Sequence, residues 1–117
     1  MPENKKYIIN PDEGDIVLFY HDLAKKNKYA VCLQPRNQNE GRLTFNGVIT
    51  TTKNLDTIYP GQYPLPEGIM PEYTKVLCDE PIPIYKKSVE EITGKMPEEE
   101  LKEIRKRTAE SLGINPS

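Results

Sequence analysis

Three stretches decide the fold of this 117-residue chain: Gly14-Asp15-Ile16-Val17-Leu18-Phe19-Tyr20-His21, then Lys28-Tyr29-Ala30-Val31-Cys32-Leu33-Gln34, then Val48-Ile49-Thr50-Thr51-Thr52. Ile16 to Phe19 and Tyr29 to Leu33 are short apolar runs rich in residues that suit a pleated surface, so both read as core strands. The loop between the first two strands carries Lys25 and Lys26, with Lys28 at its end. Pro35 to Gly41 is turn chemistry that closes a hairpin onto the third strand, where Gly47 marks a bulge or sharp bend. Cations and hydroxyls therefore gather at strand ends, on a rigid base suited to holding a phosphate.

On the N-terminal side of these stretches, residues 1–13 are polar and read as a lead-in loop. Pro60, Pro64, Pro66 and Pro71 exclude a central strand, so that region reads as an ordered loop or a sheet edge. Tyr73 to Asp79 is a further strand, and the alternating prolines of Pro81-Ile82-Pro83-Ile84-Tyr85 suit an edge that resists pairing. Ser88 with Glu91 is a capping-box pattern that predicts a short helix over 88–93, stopped by Gly94. Pro97 and three glutamates open a second helix over 97–112, with Leu101, Ile104, Thr108 and Leu112 on one face. The expectation is one domain over 1–117, mainly β with a C-terminal α element. A strongly bent antiparallel sheet or small barrel over 14–86 is capped by the C-terminal helix.

Composition narrows the function classes. The chain is 36% hydrophobic and 29% charged, and no apolar run suffices for a membrane span, so a cytoplasmic protein without membrane contact is expected. Cys32 and Cys78 sit inside apolar runs and read as small buried hydrophobes. With no CxxC pattern and no ligand-spaced neighbours around His21, no metal site and no cofactor is expected. The net charge of −2 hides a basic centre: residues 23–54 hold six Lys or Arg against one acid. That distribution points to a localised anion site rather than a general nucleic-acid coat.

In order along the chain, Gly14-Asp15-Ile16-Val17, Lys28 to Gln34, Val48-Ile49-Thr50-Thr51, Val76-Leu77-Cys78-Asp79, Ile92-Thr93-Gly94-Lys95-Met96 and Ser111-Leu112-Gly113-Ile114 resemble the PemK/MazF toxins of bacterial toxin–antitoxin systems. The resemblance covers nearly the whole chain. It implies an SH3-like barrel shared with CcdB toxins, a homodimer, and an endoribonuclease that cuts single-stranded RNA without a metal. It also implies an antitoxin peptide that occupies the RNA groove. Where the family carries an Arg-Pro pair, this chain has Lys28-Tyr29.

Such cleavage needs the 2′-hydroxyl deprotonated, the phosphorane charge stabilised and the leaving oxygen protonated. The candidate catalytic residues are Lys28 as the cation, Thr50 as the hydroxyl donor and His21 for proton transfer. Lys25, Lys26, Thr51, Lys53, Arg36 and Arg42 are candidate RNA contacts. Two alternatives stay open: a catalytically degenerate member that binds RNA or protein, and a CcdB-like toxin directed at a protein.

Overall fold

The apolar run at residues 16–19 forms strand β1 (Asp15–His21) in a computed structural model that describes residues 8–113. Along the chain come β2 (Lys26–Cys32), a short helix α1 (Arg36–Asn39), β3 (Thr44–Thr51), β4 (Gln62–Pro64), β5 (Lys75–Tyr85), β6 (Val89–Lys95) and α2 (Glu98–Ser111). All pairings are antiparallel, and the sheet runs β4-β5-β3-β2-β1-β6. Two registers place the strand ends: Phe19 opposes Lys28 in the first hairpin, and Ala30 opposes Ile49 between β2 and β3.

Continuous apolar runs imply burial on both faces, and both faces are buried. Ile16, Val31, Val48, Val76 and Cys78 form one cluster, closed by Ile104 of α2 and by Leu65. Val17, Phe19, Ala30, Cys32, Phe45, Ile84 and Val89 form the other, drawn from five strands with no helix residue among them. Ile9 of the lead-in segment, with Ile49 and Ile82, packs against this second cluster. Gly47 serves this close packing, because a Cβ there would meet Ile84 Cδ1 at 2.9 Å and the Val31 carbonyl at 3.1 Å.

Helix α2 packs on β5 and β4. The Tyr63 hydroxyl donates to Glu100 at 2.5 Å, and Arg107 donates to the Gln62 carbonyl at 2.6 Å while its guanidinium lies 4.9 Å from the Tyr63 ring centroid. Burial and the Glu100 hydrogen bond push the Tyr63 hydroxyl up to about 12. Cys32 and Cys78 are fully buried, and burial raises both thiols, Cys78 to about 11.

Several expectations change. Among the described residues no pairing joins β4 to β6, so the sheet stays open where a barrel was expected. The helix expected over 88–93 is instead a single 3-10 turn, Lys86–Ser88, and then β6. Val17 opposes Ile92 and Phe19 opposes Val89, so the free edge of β1 recruits this segment, and its β-branched residues suit the role. The two strands expected at 73–79 and 81–85 are one long strand, β5. β4 pairs only with its first residues, which leaves Pro81 and Pro83 on an otherwise unpaired edge beside β3. Residues 1–7 of the lead-in loop and Ile114 lie outside the described residues.

Candidate functional site

Because Ala30 and Ile49 are paired, the start of β2 and the end of β3 emerge side by side from the sheet. Residues 26–29 and 50–53 then line one cleft of about 270 Å³, closed on its other side by the segment from Met70 to Thr74. Lys26, Lys28, Lys53, Thr50 and Thr51 all contribute to its lining. Five of the nine candidate residues are therefore brought together.

The charges in the cleft are unbalanced. None of the three ammonium groups has an ion-pair or hydrogen-bond acceptor among the described residues. Lys53, and then Lys28, lower the proton affinity of Lys26 below the ordinary lysine value through like-charge repulsion. A group of cations that repel one another and lack internal partners is a site shaped for an external anion.

The two threonines differ. Thr50 is 6% exposed, and its hydroxyl donates to the Tyr29 carbonyl at 3.3 Å, so it ties β3 to β2. Thr51 Oγ1 accepts the Lys53 N–H at 3.2 Å, which leaves its own proton available for a phosphate oxygen. Behind the cleft, Lys75 is 3% exposed and donates to the carbonyls of Asn54 and Thr57, each at 2.9 Å. These bonds hold the turn after Lys53, where Asn54 adopts a left-handed φ of 54°.

The remaining candidates lie elsewhere. His21 lines a separate hollow with Tyr20, Leu23, Ile82 and Tyr85, where its Nδ1 accepts the Ala24 N–H at 3.2 Å. Lys25 is exposed in the β1–β2 turn with a φ of 55° and does not line the cleft. Arg36 is tied to the lead-in segment: its Nε donates to the Asn10 carbonyl at 3.1 Å and its N–H to Asp12 at 2.8 Å. Arg42 borders another hollow beside Leu43 and Lys86. Sequence reasoning missed Glu72 and Lys75; Glu72 sits in a proline-rich loop with no motif, and Lys75 looks like an ordinary strand-edge cation. Among the described residues no group of three His, Cys, Asp or Glu side chains is placed to hold a metal.

The model of PemK-like, MazF-like toxins of type II toxin–antitoxin systems matches residues 12–112. The chain belongs to this family. Among solved structures it is similar to the MazE–MazF complex of Deinococcus radiodurans (22% identity, TM-score 0.77, 94% of this chain and 100% of that one). An endoribonuclease bound to its cognate antitoxin from a mycobacterial species is similar at 18% identity and a TM-score of 0.74, over 92% of this chain and 98% of that one. The Mycobacterium tuberculosis toxin MazF-mt6 shares 12% identity at a TM-score of 0.73, over 86% and 98%. At these identities the structural likeness shows the fold. No curated protein sequence matches the chain.

Proposed function

We propose that this PemK/MazF family member is an endoribonuclease that cuts single-stranded RNA in the cleft between β2 and β3. The observation that carries this reading is the convergence of Lys26, Lys28 and Lys53 on one cleft, none of them in an ion pair among the described residues. A phosphodiester there has cations on its oxygens and the Thr51 hydroxyl as a further donor, which favours the charge that builds up in the transition state. Thr50 then supports the site through the strand pair rather than by touching the phosphate. The groove continues past Tyr29, Met70 and Pro71 into a second hollow of about 420 Å³ that reaches Thr93 and Lys95, which supports a site longer than one nucleotide.

By analogy with the complexes above, an antitoxin peptide with acidic side chains would compete for the same groove. Tyr20, Leu23 and Tyr85, exposed at 43%, 92% and 54%, support a homodimer. The apolar cluster that draws on five strands supports an SH3-like barrel without full hydrogen-bonded closure. A cytoplasmic site of action fits an RNA substrate, and no helix among the described residues is long and apolar enough to cross a membrane.

Cleavage of a long RNA in EDTA by the purified protein, lost in Lys28→Ala, tests the reading. Salt-dependent binding without product would instead favour a member that binds RNA without cutting it. That second reading draws support from Lys28-Tyr29 standing where the family has Arg-Pro, since lysine lacks the fixed bidentate geometry of a guanidinium.

A further inference from the structure

A 2′-hydroxyl attacks phosphorus only as its proton leaves, so a cleft that cuts RNA needs a base as well as cations. His21, the chain's one imidazole, does not line the cleft. The titratable side chains that do are Lys26, Lys28, Lys53, Tyr29 and Glu72. Lysine and tyrosine as classes keep their protons near neutrality, whereas a carboxylate has already lost its own. Glu72 is thus the one side chain of the lining whose chemistry suits it to accept a proton.

Its placement is built rather than incidental. The hydroxyl of Thr74, itself 3% exposed, donates to the Glu72 carbonyl at 2.8 Å, and the Thr74 carbonyl accepts the Leu65 N–H at 2.9 Å. The turn that carries Glu72 is thereby fixed to the core. Although it shares the cleft with three lysines, Glu72 forms no ion pair among the described residues. A carboxylate present only to neutralise the lysines would sit against one of them.

We propose that Glu72 is the general base of this cleft and removes the 2′-hydroxyl proton of the nucleotide on the 5′ side of the scissile phosphate. The proposal rests on the RNA-cleaving reading given above. As the proton passes to the Glu72 carboxylate, the 2′-oxygen bonds to phosphorus and the bond from phosphorus to the 5′-oxygen breaks. The leaving 5′-oxygen takes a proton from an ammonium of the lysine cluster. The products are a 2′,3′-cyclic phosphate and a 5′-hydroxyl. Glu72 then releases its proton to solvent and the lysine regains one, so the enzyme returns unchanged. Lys26, crowded by Lys53 and Lys28, gives up a proton more readily than an isolated lysine would.

The test compares wild type with Glu72→Gln and Glu72→Asp in single-turnover cleavage of a labelled RNA, with thermal unfolding as the check on folding. Affinity is read separately on the same RNA carrying a 2′-deoxy nucleotide at the cleavage position. Glu72→Gln should slow cleavage by roughly 10²- to 10⁴-fold, the usual range for a lost general base. Its affinity for the 2′-deoxy RNA should hold or tighten, since a negative charge is removed, and the acid limb of the pH–rate profile should vanish. Glu72→Asp should keep part of the rate. An active wild type with Glu72→Gln within about threefold of it, or with a loss confined to affinity, overturns this proposal alone. A wild type that binds RNA and never cuts it overturns the cleavage reading along with this one.

Discussion

Lys75 and Lys86 are buried, and their ammonium groups donate to backbone carbonyls: Lys75 to Asn54 and Thr57, Lys86 to Asn39. Lys26, Lys28 and Lys53 meet at the open cleft with no acceptor among the described residues, and Lys53 and Lys28 weaken the hold of Lys26 on its proton. The first pair is satisfied from within the fold, so its charge serves the structure. The second set is satisfied only by something that arrives. Charge count along the sequence does not separate the two sets, but the hydrogen-bond partners do.

Removing the cleft lysines together exposes this contrast most directly. The triple variant Lys26→Ala, Lys28→Ala, Lys53→Ala should lose single-stranded RNA affinity by on the order of 100-fold at low salt, and its log–log salt slope should fall by about 2. Its unfolding midpoint should not drop, because no internal bond is lost. Filter binding across a salt series, with urea unfolding alongside, reads both quantities. A large loss of stability in the triple variant would mean that these lysines are structural after all.

The buried pair should behave in the opposite way. Lys86→Met removes a charged donor from a buried carbonyl and should cost about 2 kcal/mol of stability, the usual scale for a charge-assisted bond. Its RNA affinity should be unchanged, since Lys86 borders a different hollow from the cleft. Lys75→Met should cost a similar amount and also weaken RNA binding, because it frees the turn after Lys53. Urea titration and binding measured below the unfolding transition distinguish the two variants.

Much of this was legible in the sequence, for local reasons. The apolar runs of β1 and β2, the hydroxyl-rich end of β3 and the periodic face of α2 each carry their own signal, and the cleft forms where the strand ends must meet. What could not be read depended on tertiary demand. The Ser88 and Glu91 pattern favours a helix locally, yet the unpaired edge of β1 takes Val89–Lys95 as a strand. Arg36 has the chemistry of a phosphate contact, but its Nε donates to the Asn10 carbonyl and its backbone N–H to Asp12, which ties it to the lead-in segment and away from the cleft. Glu72 enters the cleft through a proline-rich loop, and no spacing rule ties such a loop to strand ends so distant in sequence.

A smaller change probes the cleft itself. Lys28→Arg puts a planar, permanently charged fork where a flexible ammonium stands, and cleavage should rise by up to about tenfold if orientation of the phosphate limits the rate. Single-turnover rates on one RNA check this, with affinity expected to move much less. An unchanged rate would place the limiting step elsewhere, at proton transfer or product release.

The smallest effect tests the premise behind the others, that the three lysines repel. Because Lys53 and Lys28 lower the folded pKa of Lys26 beneath its unfolded value, the unfolded chain binds more protons between those two values. Stability therefore rises with pH through that window, and the full penalty is present below it, neutral pH included. Lys26→Gln should accordingly raise the unfolding midpoint slightly at pH 7 in low salt, and the gain should fade in ~0.5 M salt as the charges are screened. Saturating wild type with a short RNA should abolish the same penalty by supplying the missing anion. If Lys26→Gln is instead destabilising in low salt, the ammonium has a partner within the fold, and the contrast with Lys75 and Lys86 no longer holds.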